Sequence, residues 1–130
     1  MGIFGERKRK GPSDMELYNY YLERMGTAMM LARSEHTFRN LRVYWALNAV
    51  ERGISAYQIR VVAPAQRRPV VAWSDTALLR HFGEEFAMGY KKLKENEQKA
   101  RGGENGELVK ESIELMEKLA KRIREMLGLV

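Results

Sequence analysis

Residues 107–127 read ELVKESIELMEKLAKRIREML. Within them Val109, Ile113, Met116, Ala120, Ile123 and Leu127 recur at intervals of 4, 3, 4, 3 and 4. That is the spacing of one apolar seam along an α-helix, coiled-coil-like in register, and Lys and Glu fill the positions between. Immediately upstream, Gly102-Gly103-Glu104-Asn105-Gly106 is a glycine-rich turn. Before the turn, Leu78, Leu79, Phe82, Phe86, Tyr90 and Leu93 spell a second helix. It is opened by Ser74 or Asp75 as N-cap and fades into charged residues near Arg101. Two helices joined by so short a turn fold back on each other, so residues 73–130 are expected to form an antiparallel helical hairpin.

Working outward toward the N-terminus, Ser13 and Glu16 have the S-x-x-E spacing of a capping box, with Asp14 in the first turn. Tyr18, Leu22, Met25, Met29 and Ala32 then share one helical face, widened by Tyr20, Tyr21 and Met30. The next helix is expected from about Glu35 to Arg52, stopping at Gly53. Phe38, Leu41, Trp45 and Ala49 occupy one side of it, and Val43, Leu47 and Val50 nearly the opposite side. A helix apolar on two sides needs two covers, which in a chain of 130 residues points to a partner as one of them. From Gly53 to Trp73 the pattern is irregular. Ser55 and Gln58 open a short helix ending before Pro64, or Ile59 to Ala63 and Val70 to Trp73 are extended and flank Arg67, Arg68 and Pro69. Periodicity leaves both open.

The expected fold is therefore all-α. A basic N-terminal arm, residues 1–12, precedes a single helical domain, residues 13–130. That domain divides into an Arg-rich contact part, 13–72, with two helices and an irregular connector, and an outer helical hairpin, 73–130. One domain suits the length, and 45% hydrophobic residues suffice for one core.

Several function classes drop out on composition. With no cysteine there is neither a disulfide framework nor a thiolate metal site. His36 and His81 lie apart. His81 with Glu84 and Glu85 offers at most a ligand pair on one helix face, so no metal or other cofactor is expected. The glycine run at 102–106 lacks the Lys and Ser/Thr of a phosphate loop and follows a helix. No catalytic constellation emerges, and the chain is read as a non-enzyme. The longest uncharged runs, Met25 to Ala32 and Val43 to Val50, fall far short of the roughly 20 residues needed to span a bilayer. No apolar stretch follows the N-terminal basic run, so it is not read as a signal peptide. Glu6 stands where a myristoylation signal after Gly2 wants Ser or Thr. Few Asn and Gln beside 31% charged residues are compatible with a hot-environment source.

Charge is the most informative feature. Residues 1–72 hold 12 Lys and Arg against 6 Asp and Glu, and residues 73–130 hold 11 against 11. The whole excess of +6 therefore lies in the first part, where 10 of the 12 cations are Arg. Arg presents a planar fork that matches phosphate. Arg7, Lys8, Arg9, Lys10, Arg33, Arg39, Arg42, Arg60, Arg67 and Arg68 are the candidate nucleic-acid contacts. Tyr18, Tyr20, Tyr21, Tyr44 and Tyr57 lie near them, either to stack on bases or, the preferred reading, as core and interface residues. Phe38, Trp45, Leu47, Tyr18 and Tyr21 are the candidate subunit contacts.

Two resemblances follow from these residues. Ala49-Val50-Glu51-Arg52-Gly53-Ile54-Ser55-Ala56-Tyr57-Gln58-Ile59 resembles the centre of a helix-turn-helix: a small residue four before the turn glycine, then an apolar residue and a Ser cap, with an apolar residue six after the glycine. The resemblance covers about 15 residues and implies that Tyr57, Gln58 and Arg60 face a major groove, as in a transcription regulator. The whole chain, by its length, basic arm, Arg- and Tyr-rich first helices and C-terminal hairpin, resembles the major coat proteins of filamentous archaeal viruses. That resemblance implies a structural subunit whose N-terminal helices wrap double-stranded DNA and whose C-terminal helices form the outer wall. It also implies pairing with itself or a related coat subunit, no membrane insertion, and a place in the virion and host cytoplasm. The segment 53–73 has no place on that plan. A helical adaptor subunit without a nucleic-acid role is the third reading.

Overall fold

The computed structural model describes residues 13–62, 73–103 and 106–129, and these are helical throughout apart from short links. The helices are α1 (Asp14–Arg33), α2 (Arg39–Val61), α3 (Asp75–Phe82), α4 (Glu84–Arg101) and α5 (Gly106–Met126). The basic arm, residues 1–12, lies outside the described residues, as does 63–72.

The capping box at the start of α1 is present. The Ser13 hydroxyl accepts from the Glu16 N–H at 3.1 Å, and the Glu16 carboxylate accepts from the Ser13 N–H at 2.8 Å. Two of the orphan donors at the helix start are thereby satisfied. The Ser13 bonds hold the Glu16 carboxyl below its ordinary pKa. At α3, of the two candidate caps Ser74 and Asp75, it is Ser74 that caps the helix, its hydroxyl accepting from the Ala77 N–H at 3.2 Å.

The second helix departs from expectation. It starts at Arg39, because 34–38 form the link from α1, and it runs straight through Gly53 to Val61. Glycine there does not end the helix; it lets three helices meet. A Cβ at Gly53 would lie 2.9 Å from Ile123 Cδ1 and 3.0 Å from Met25 Sδ. Every residue from Gly53 to Ile59 is buried. The helix-turn-helix reading is corrected by the same observation: no turn interrupts 49–59, and Tyr57 and Gln58 are 4% and 6% exposed. Residues 53–61, expected in the irregular connector, belong to α2.

α2 is the central helix. α1 runs antiparallel along it, with Arg42 near Ala32, Met25 against Gly53 and Tyr18 beside Arg60. α5 packs on α2 more extensively than on α4. The side of α2 that carries Val43, Leu47 and Val50 is covered within the chain, whereas on the other side Ala49 is buried and Trp45 packs against the core while Phe38 and Leu41 stay exposed.

The helix expected over 74–101 is two helices. Gly83, at φ +99°, breaks it, a left-handed backbone that L side chains rarely adopt. Its N–H caps α3 through the Leu79 carbonyl. The Phe82 and Phe86 rings stack at 4.3 Å across the break. Along α5 the expected seam is the buried face: Val109, Met116, Ala120 and Ile123 are buried, with Ile113 and Leu127 packed beside them. Ser112 is also fully buried, where its hydroxyl accepts from Asn96 Nδ2 at 3.2 Å and ties α4 to α5.

Candidate nucleic-acid interface

The candidate cations sort into four groups by what surrounds them. Arg7, Lys8, Arg9, Lys10, Arg67 and Arg68 fall outside the described residues. Arg33 ends α1 with a two-pronged hold on Glu117 of α5: Nε at 2.6 Å from Oε2 and the second nitrogen at 2.8 Å from Oε1. The pair is about half exposed. Forked geometry is the strong form of an Arg–carboxylate contact. The hydrogen bond pushes the Glu117 carboxyl below its ordinary pKa and the Arg33 guanidinium above its own.

Arg42 is also turned inward. Its Nε donates to the Ala32 carbonyl at 2.8 Å, and its terminal nitrogen to the Arg33 carbonyl at 3.1 Å. These are carbonyls that the end of α1 leaves without helical donors, so Arg42 caps the preceding helix. Arg33 and Arg42 are thus both engaged in holding the bundle together.

Arg39 and Arg60 are exposed. Arg39 stands at the first position of α2, in a first turn with no acidic residue, and forms no ion pair among the described residues. Arg60 lies 5.8 Å from the centre of the Tyr18 ring, and both border a cleft of about 230 Å³ with Asp14, Met15, Ile59, Val61 and Val62.

Two arginines that sequence reasoning left out join this surface. Arg24 lies 5.8 Å from the Tyr20 ring centre, and Arg52 lies 5.9 Å from that of Tyr21. The two rings meet edge-on at 5.2 Å. Arg24, Tyr20, Tyr21 and Arg52 therefore make one unbroken run from α1 to α2. Neither arginine forms an ion pair among the described residues, and Arg52 Nε is buried without a hydrogen-bond partner. The Tyr20/Arg24 spacing of four was visible in the sequence as a helical pair. Arg52 was hidden because its helix was expected to end there.

The candidate subunit contacts divide likewise. Phe38 is 76% exposed and, with Leu41 and Tyr44, forms an open apolar strip at the start of α2. Trp45 and Leu47 are half-buried against the chain's own core, and Trp45 meets Tyr44 edge-on at 5.0 Å. Tyr18 and Tyr21 are half-buried beneath arginines.

Among the described residues no three His, Asp or Glu side chains gather where a metal ion could be held. The His81 ring instead stacks on Trp73 at 4.5 Å, with its Nδ1 3.3 Å from the Tyr57 hydroxyl. Burial pushes the Tyr57 hydroxyl above its ordinary pKa. Tyr90 donates to the Glu51 carboxylate at 2.8 Å, and burial together with that negative neighbour keeps its phenol protonated far into the alkaline range. No described helix is long and apolar enough to cross a membrane. Comparison with protein-family models, with curated proteins and with solved structures finds no match for this chain.

Proposed function

We propose that this chain is a structural nucleoprotein subunit that binds the backbone of double-stranded DNA without sequence preference and assembles with copies of itself or a related subunit, in the manner of filamentous archaeal virus coat proteins. One observation carries it: the chain has six more cations than acids, and five of that surplus fall in two short segments. Residues 1–12 hold four cations against Glu6, and residues 63–72 hold two with no acid at all. The helical stretch 13–62 holds six against five. The excess thus lies where little acid is at hand, as a phosphate-contacting arm and connector require. The open strip of Phe38, Leu41 and Tyr44 supports self-association, since large exposed apolar side chains in a group commonly mark a contact surface. In this proposal the basic arm reaches along the duplex, and the charge-balanced α4 and α5 face outward.

Electron microscopy of the purified chain mixed with duplex DNA tests it. Regular filaments are expected, with binding that weakens steeply and equally on unrelated sequences as salt rises. A chain that stays monomeric beside duplex DNA at low salt overturns it.

A further inference from the structure

Resting on that proposed DNA contact, we infer that the helical part of the phosphate-binding surface is the tyrosine-backed run of Arg24 and Arg52, extended by Arg60 on Tyr18, while Arg33 and Arg42 belong to the scaffold. Sequence alone ranked Arg33 and Arg42 as contacts and omitted Arg24 and Arg52; the surroundings of each guanidinium reverse that order. Arg33 already holds a carboxylate with two prongs, and Arg42 already holds two carbonyls. A phosphate taking either one would have to displace those partners and leave Glu117 or the end of α1 unsatisfied, and leaving partners unpaired is costly.

Arg24 and Arg52 face no such competition. Each lies near a tyrosine ring that attracts its cation without occupying the N–H edge. A guanidinium held this way gives up part of its side-chain freedom before any ligand arrives. At exposed Arg24 the in-plane donors remain available for the forked hydrogen bonds that phosphate oxygens accept, whereas at half-buried Arg52 the Nε is withdrawn and only the terminal nitrogens can serve. Arg52 Nε is buried and has no hydrogen-bond partner among the described residues, so part of this guanidinium is already desolvated. The run also bridges α1 and α2, so its cations sit on two packed helices rather than on one flexible loop. The Tyr18–Arg60 pair lies further along the α1–α2 pairing, near the start of α1 and the end of α2, beside the cleft bordered by Asp14, Ile59 and Val62. A row of this kind fits an extended, evenly charged partner, which the phosphate backbone is.

The test measures duplex affinity against salt for the wild type, an Arg24→Gln/Arg52→Gln pair and an Arg33→Gln/Arg42→Gln pair, with helix content and thermal midpoint followed in parallel. Gln keeps much of the stem packing and removes the charge. The slope of log affinity on log salt is expected to become shallower by about two for the first pair, at roughly one unit for each phosphate that is no longer neutralised. For the second pair the slope stays at the wild-type value while the thermal midpoint falls. Arg24→Gln alone, at an exposed position, serves if Arg52→Gln unfolds the chain, and should cost about one unit of slope. An unchanged slope for Arg24→Gln and its pair overturns the assignment, whatever the Arg33/Arg42 pair does, and leaves DNA binding standing. A wild type that is not retained on duplex DNA at low salt overturns DNA binding, and this assignment with it.

Discussion

Two glycines inside helices show how one residue type does opposite work. Gly26 lies in the middle of α1 with nothing within 4 Å of where a Cβ would sit. Gly53 lies in α2 with Ile123 and Met25 crowding that place. Helix propensity treats the two alike, penalising each by about 1 kcal/mol relative to Ala. Packing separates them. Gly26→Ala is expected to stabilise the fold by about 0.5–1 kcal/mol, since it removes backbone freedom from the unfolded chain and meets no neighbour. Gly53→Val should destabilise by about 1–3 kcal/mol, because its branched side chain must push into a point where three helices converge. Chemical denaturation of both variants checks the pair, and equal effects of one sign would contradict the placement of Gly53. The residue scale is also where sequence reading failed most plainly. A glycine after an apolar run signals a helix end or a close crossing with the same letter, and only the position of Ile123, 70 residues on, distinguishes them.

At the scale of elements, legibility followed the strength of the local signal. The seam of α5 and the caps at Ser13 and Ser74 rest on contacts within a few residues, so they could be read directly. The break at Gly83 could not, because apolar spacing from Leu78 to Leu93 continues through it with little shift of phase. The start of α2 was misplaced for a different reason: its N-cap is Phe38, which makes no side-chain capping bond. Phe is a poor cap, since it offers no oxygen to the first free N–H groups. Its ring is also mostly in solvent. Phe38→Ser is therefore expected to raise the stability of the isolated chain by roughly 0.5–2 kcal/mol. Failure of the same variant to form filaments, with the thermal midpoint raised, would show that the start of α2 keeps a weak cap for the sake of a subunit contact. A variant that is stabilised and still forms filaments would remove Phe38 from the interface.

On the scale of the whole molecule, the all-α class was legible because apolar periodicity near 3.6 recurs along most of the chain. The arrangement was not, because which helix covers α2 depends on contacts remote in sequence. Half of the candidate site was likewise out of reach: that Arg33 meets Glu117 across 84 positions has no sequence signature. Net charge, by contrast, does not depend on arrangement. Replacing Arg7, Lys8, Arg9, Lys10, Arg67 and Arg68 with Gln in the full chain removes six cations and brings +6 to zero. If those side chains meet phosphates, the salt slope for duplex DNA should become shallower by roughly five. The remaining slope would then belong to the helical arginines, and adding Arg24→Gln/Arg52→Gln should take away about two units more. Titrations of wild type, the six-site variant and the eight-site variant at several salt concentrations measure these steps separately. Full wild-type slope in the six-site variant would mean that the excess charge serves solubility instead. A drop far larger than five would mean that the arm and connector also organise the subunits into a cooperative array, so that neutralising them weakens the hold of neighbouring subunits on the duplex as well.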